Sequence, residues 1–106
     1  ILDTSIQFNE MNGLFKVVFD RLYCFLDINA TTIMEKGKKV AVVVTASADA
    51  DSAERVSKNL ENVMVQHFFC EPVGRIAYCT WMMPKDMPVD QTVLDEARAI
   101  GARFRS

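Results

Sequence analysis

Cys24, Cys70 and Cys79 carry the most reactive side chains in the chain, and their spacing limits what they can do. An odd count without a CxxC pair supplies neither a disulfide framework nor a sequence-local zinc or iron–sulfur cage, so no metal site is expected. It fits a reducing compartment, and the expected location is cytoplasmic. His67 is the sole histidine. It stands near the end of a helical stretch without a partner at triad or ligand spacing, where an imidazole suits helix carbonyls better than catalysis. Asp3, Thr45 and Lys85 follow successive apolar runs, the order a phosphoryl receiver requires. The paired acidic residues that would hold its magnesium have no counterpart, and Lys85 comes after Pro84 and a methionine pair. Trp81, Met82 and Met83 offer a planar ring and soft thioethers that fill a core or close a ligand pocket. With no carboxylate pair, Ser-His-Asp order, phosphate-loop motif or Gly-x-Gly-x-x-Gly fingerprint, hydrolase, kinase and Rossmann chemistry are set aside.

The elements that must position such residues come from periodicity. A chain of 106 residues is at most one domain by the prior of ~150 residues per domain. Half the residues are hydrophobic and a quarter charged, enough apolar surface to offset the entropy of ordering. The net charge of −2 and the lack of a basic block argue against a nucleic-acid surface. No apolar run approaches the ~20 residues that span a bilayer, and no secretory leader pattern stands at the N-terminus.

The opening residues Ile1 to Asp3 predict the end of a buried strand whose beginning is absent. Met11, Leu14, Phe15, Val18, Leu22, Phe25 and Leu26 then recur at helical spacing, predicting a helix over about 10–26 capped by Asn9 or Asn12. Val40-Ala41-Val42-Val43-Val44 is a run without polar alternation, as in a strand covered on both faces of a parallel sheet. Asp51 and Glu54 have capping-box spacing and predict the start of a helix carrying Ala53, Val56, Leu60, Val63 and Met64 on one stripe. Glu71-Pro72 and Gly74 predict its stop and a turn, Arg75 to Trp81 a further strand, and Val89 to Arg103 a last helix. Alternating strands and helices argue for an α/β sheet, in which ligands bind beyond the carboxyl ends of the strands. The candidate ligand-bearing stretches are therefore those after Asp3 and after Val44.

Those stretches carry a resemblance. Thr4-Ser5-Ile6-Gln7-Phe8-Asn9 followed by Lys16-Val17-Val18-Phe19-Asp20-Arg21 resembles the third strand and following helix of the flavodoxin-like superfamily, in its NAD(P)H-dependent FMN reductase and iron–sulfur flavoprotein branch. Ser5 and Gln7 stand where that branch usually has Pro and Tyr. Gly37-Lys38-Lys39-Val40 running to Val44-Thr45-Ala46-Ser47 is similar to its fourth strand and flavin-facing loop. The resemblance implies a three-layer flavodoxin-like parallel sheet lacking its N-terminal half, formed by residues 1–106 as a single partial domain. It implies an FMN-dependent oxidoreductase or electron-transfer flavoprotein with NADH or NADPH as hydride donor and a separate electron acceptor. The cofactor-binding residues it implies are Thr4, Ser5, Ile6, Gln7, Phe8 and Asn9 on one side of the flavin and Thr45, Ala46, Ser47 and Ala48 on the other. The flavin is then the redox catalyst, and no side chain is expected to be catalytic. A homo-oligomer is expected, with Asp20-Arg21 either positioning a neighbouring subunit or forming a solvated ion pair. The alternative is a flavin-free module that pairs its open sheet edge with another copy or a partner.

Overall fold

The structure is a computed structural model that describes residues 1–47, 49–80 and 90–105. Its elements are β1 (Leu2–Gln7), β2 (Glu10–Met11), α1 (Gly13–Asp20), a 3-10 turn (Arg21–Phe25), β3 (Lys39–Ala46), α2 (Ala50–Gln66), β4 (Glu71–Cys79) and α3 (Gln91–Arg105). They form an α/β protein whose described residues make an open four-stranded sheet in the order β2-β1-β3-β4. β1, β3 and β4 run parallel and β2 is antiparallel to β1.

β3 is the centre, as its β-branched run requires. Val42 and Val44 are fully buried on one face, where they meet Ala53, Val56 and Leu60 of α2. Each such side chain stabilises the fold by ~1.5–3 kcal/mol. Ala41 faces the opposite side and packs with Val73 and Ile76 of β4 and Ile100 of α3. Register carries the alternation into β1. Leu2 and Thr4 lie beside Val42 and Val44 on the α2 side, and Asp3 and Ser5 beside Val43 and Thr45 on the other. Phe15 and Phe19 of α1, ring centroids 5.7 Å apart, close over the α2 side of the sheet.

Several boundaries differ from the periodicity. β1 does not end at Asp3 but continues to Gln7, because Phe8 and Asn9, at φ 49° and 67°, make a two-residue turn that lays Glu10 and Met11 back on Gln7 and Ile6. The helix expected over 10–26 therefore starts at Gly13, where the Asn12 carboxamide accepts the Leu14 N–H at 2.9 Å. It tightens to 3-10 at Arg21. α2 is capped by Asp49, not Asp51; the Asp49 carboxylate accepts the Ser52 N–H at 3.0 Å. Pro72 and Gly74 lie inside β4, not before it. Pro72 is tolerated on this edge strand, and a bulge after Val40 lets Val73 stand extra to the ladder. Gly74 leaves room for Ile100, whose Cγ1 would lie 2.3 Å from any Cβ there. The expected strand end at Trp81 lies outside the described residues.

Candidate functional site

Parallel register brings the two ligand-bearing stretches together. Thr4 pairs with Val44 and Ser5 with Thr45, so β1 and β3 deliver their last residues to the same end of the sheet. A cleft of about 580 Å³ opens beside them. Asp3, Thr4, Ser5 and Thr45 form its strand wall, and Asn12, Leu14, Phe15 and Val18 its helical wall.

The ten sequence-predicted site residues do not all meet it. Thr4 is buried and internally satisfied: its hydroxyl donates to the Ser5 carbonyl and accepts the Asn12 N–H, both at 3.1 Å. Its hydroxyl thus fixes the start of α1. Ile6 packs against the core, and the carbonyl of buried Ala46 accepts the Thr80 N–H at 3.0 Å. Gln7, Phe8 and Asn9 form the exposed tip of the hairpin, not a loop that follows Asp3. Among the described residues Phe8 is fully exposed, its side chain as open as in an extended peptide. The tip is held from below, since the Arg55 guanidinium of α2 donates to the Asn9 carbonyl and reaches the Glu10 carboxylate at 3.4 Å. Thr45 and Ser47 are exposed at the end of β3. Ala48 lies outside the described residues, as do Trp81, Met82, Met83 and Lys85.

A carboxylate caps α2 at this end of the sheet. Hydrogen bonds from the Ser52 hydroxyl and amide hold the Asp49 carboxyl below its ordinary value, so a carboxylate occupies the mouth of α2 where an anion would otherwise bind. Thr45 and Ser47 present exposed hydroxyl side chains at this end of β3, and the α2 mouth is not free for a phosphate.

The remaining reactive residues are dispersed. Cys24 is exposed, Cys79 half-buried and Cys70 buried, with burial pushing the Cys70 thiol up. No group of three or more His, Cys, Asp or Glu among the described residues stands close enough to hold a metal ion. His67 ends α2, and its Nδ1 lies 3.0 Å from the Ala30 carbonyl, tying the loop before β3 to the helix. Asp20 pairs with Lys16 one turn earlier rather than with Arg21. Asp3 sits inside β1, four residues before its end, which is not where a phosphoryl acceptor is presented.

The helical wall of the cleft was not singled out by the sequence as part of a site. Its signal was present in that apolar residues extend beyond the buried face of α1: Phe15 and Phe19 pack inward while Leu14, Val17 and Val18 remain exposed. The fold and site define an α/β protein with a mostly parallel open sheet and a cleft along one edge. No family model, no curated protein and no solved structure matches the chain. Among the described residues no helix is long and apolar enough to cross a membrane.

Proposed function

We propose that this chain serves a flavin, as an FMN-dependent NAD(P)H oxidoreductase or electron-transfer flavoprotein with the three-layer flavodoxin-like arrangement. The observation that carries the reading is the parallel pairing of Ser5 with Thr45, which gives the stretches at 4–9 and 45–47 a common end of the sheet. Ligands of open α/β sheets bind there. The residues present fit the ring and ribityl portions: Phe8 supplies an uncommitted aromatic face and Thr45 and Ser47 exposed hydroxyls. They do not fit the phosphate, because Asp49 already fills the α2 N-terminus with a carboxylate. Bound flavin would accept hydride from NADH or NADPH and pass electrons to an acceptor. The protein's own part is to hold the ring edge and exclude water from one side of it.

Titration of the chain with riboflavin and with FMN, followed by flavin fluorescence, tests this. Saturable quenching is expected for both, with riboflavin bound at least as tightly as FMN, since the Asp49 carboxylate stands where the phosphate would otherwise be held. Absence of saturable quenching by either flavin would refute the proposal.

A further inference from the structure

Of the five asparagines in the chain, Asn12 alone precedes a glycine; Asn9, Asn29, Asn59 and Asn62 precede Glu, Ala, Leu and Val. An Asn-Gly pair can cleave its own carboxamide. The following backbone nitrogen attacks the side-chain carbonyl carbon, and a Cβ on the attacking residue crowds that approach, which glycine avoids. The fold adds no obstacle at Gly13, since among the described residues nothing lies within 4 Å of the place a Cβ would take.

The restraint comes from the position of Asn12 at the head of α1. Its backbone is extended at ψ 140°, and its carboxamide oxygen accepts the N–H of Leu14 at 2.9 Å and of Phe15 at 3.4 Å. Its own N–H donates to the buried Thr4 hydroxyl at 3.1 Å, and its carbonyl accepts the Lys16 N–H at 2.9 Å. Closing a ring between Gly13 N and the side chain turns ψ away from this value and takes the oxygen off both amides. The reaction therefore runs from the opened first turn of α1, not from the closed one.

We propose that Asn12 is a site of spontaneous deamidation whose rate is set by the opening of its own cap. The Gly13 nitrogen bonds to the Asn12 side-chain carbonyl carbon, the bond from that carbon to Nδ2 breaks, and the Gly13 amide proton leaves with it as ammonia. Water then opens the succinimide at either carbonyl. The balance is carboxamide plus water to carboxylate plus ammonium, with no change of oxidation state. Opening at the side-chain carbonyl gives aspartate, which caps as well as asparagine and sets a negative charge at the positive end of α1. Opening at the main-chain carbonyl gives isoaspartate, whose extra backbone methylene forces it to give up the Thr4 bond or the cap. Asn12 and Asp3 both line the cleft, so either product adds a second carboxylate to its wall.

The chain held at mildly alkaline pH, with and without urea, tests this by peptide mass spectrometry. In urea, Asn12 should convert before the other four asparagines, and in native buffer its conversion should be slower by about tenfold or more. Gly13→Ala should bring the rate in urea down to that of the other asparagines. Thr4→Val, which strands the Asn12 N–H, should speed native conversion several-fold and leave the rate in urea unchanged, whereas Thr4→Ser, which keeps the hydroxyl, should alter neither. Asn12→Asp should melt close to the parent, and Asn12→Ala below both. Earlier conversion at another asparagine in urea, equal rates with and without urea, or a native rate indifferent to Thr4→Val overturns the proposal. So does an Asn12→Asp chain no more stable than Asn12→Ala.

Discussion

Replacing Gly74 by alanine tests how α3 is seated. A Cβ at this position would lie 2.3 Å from Ile100 Cγ1 and 2.5 Å from Cδ1, whereas carbon pairs rest at about 3.5–4.0 Å. Relief needs a shift of more than an ångström by the one residue of α3 that is fully buried. Overpacking of this kind costs ~1–3 kcal/mol. Alanine also lowers the entropy of the unfolded chain relative to glycine, which returns ~0.4–1 kcal/mol. The expected net effect of Gly74→Ala is a loss of ~1–2 kcal/mol, read as a fall of about 1 M in the urea midpoint followed by far-UV circular dichroism. Ile100→Ala alone should cost ~2–5 kcal/mol through the cavity it leaves. In the double variant the new methyl enters the vacated space, so the combined cost should fall short of the sum by ~1–3 kcal/mol. Strict additivity, or a Gly74→Ala chain as stable as the parent, would refute the packing described for β4 and α3.

Phe8→Asn should stabilise the chain by ~1 kcal/mol, because asparagine tolerates the left-handed backbone at φ 49° and no buried surface is lost; the melting temperature should rise by several degrees while flavin quenching weakens. A fall in melting temperature would contradict the two-residue turn. Asp49→Asn keeps a cap but removes a titrating group whose pKa is lowered from 3.8 by the Ser52 hydrogen bonds. That contribution is full above the ordinary carboxyl pKa and is lost as the pH falls through the depressed value, so the variant's melting temperature should decline less steeply on acidification. Thr4→Val strands the Asn12 N–H and should cost ~1–3 kcal/mol in urea unfolding, against under ~1 kcal/mol for Thr4→Ser.

What the sequence displayed depends on whether local pattern or packing decided the outcome. β3 and α2 were legible because their signals are self-contained: a β-branched run covered on both faces, and an apolar stripe behind an acidic cap. The cap itself fell two residues early because Asp49 and Asp51 both precede the stripe, and the bonds that Ser52 makes back to Asp49, from its amide and its hydroxyl, separate them. The β1–β2 hairpin was hidden because Phe8-Asn9 is not a residue pair that favours two positive φ values. Its closure rests on contacts remote in the chain, with Arg55 holding the Asn9 carbonyl from α2. Pro72 and Gly74 looked like a stop because local propensity cannot sense an edge strand with a bulge or a helix that needs a missing Cβ. That 4–9 and 45–47 would share one sheet end followed from the parallel pattern. That Thr4 would spend its hydroxyl on Asn12 did not, since nothing in the residue types ranks a cap above a ligand.

The cleft and the sheet end are physically linked through Ser5 and Thr45. Both residues lie where β1 and β3 finish, and both line the strand wall of the cleft. A ring resting against Thr45 would therefore stand beside Ser5, with Leu14 and Val18, which α1 exposes while its other face packs through Phe15 and Phe19, on the opposite wall. Polar contacts strengthen as local water is removed, so a ring held between these walls would gain from the apolar side of the cleft.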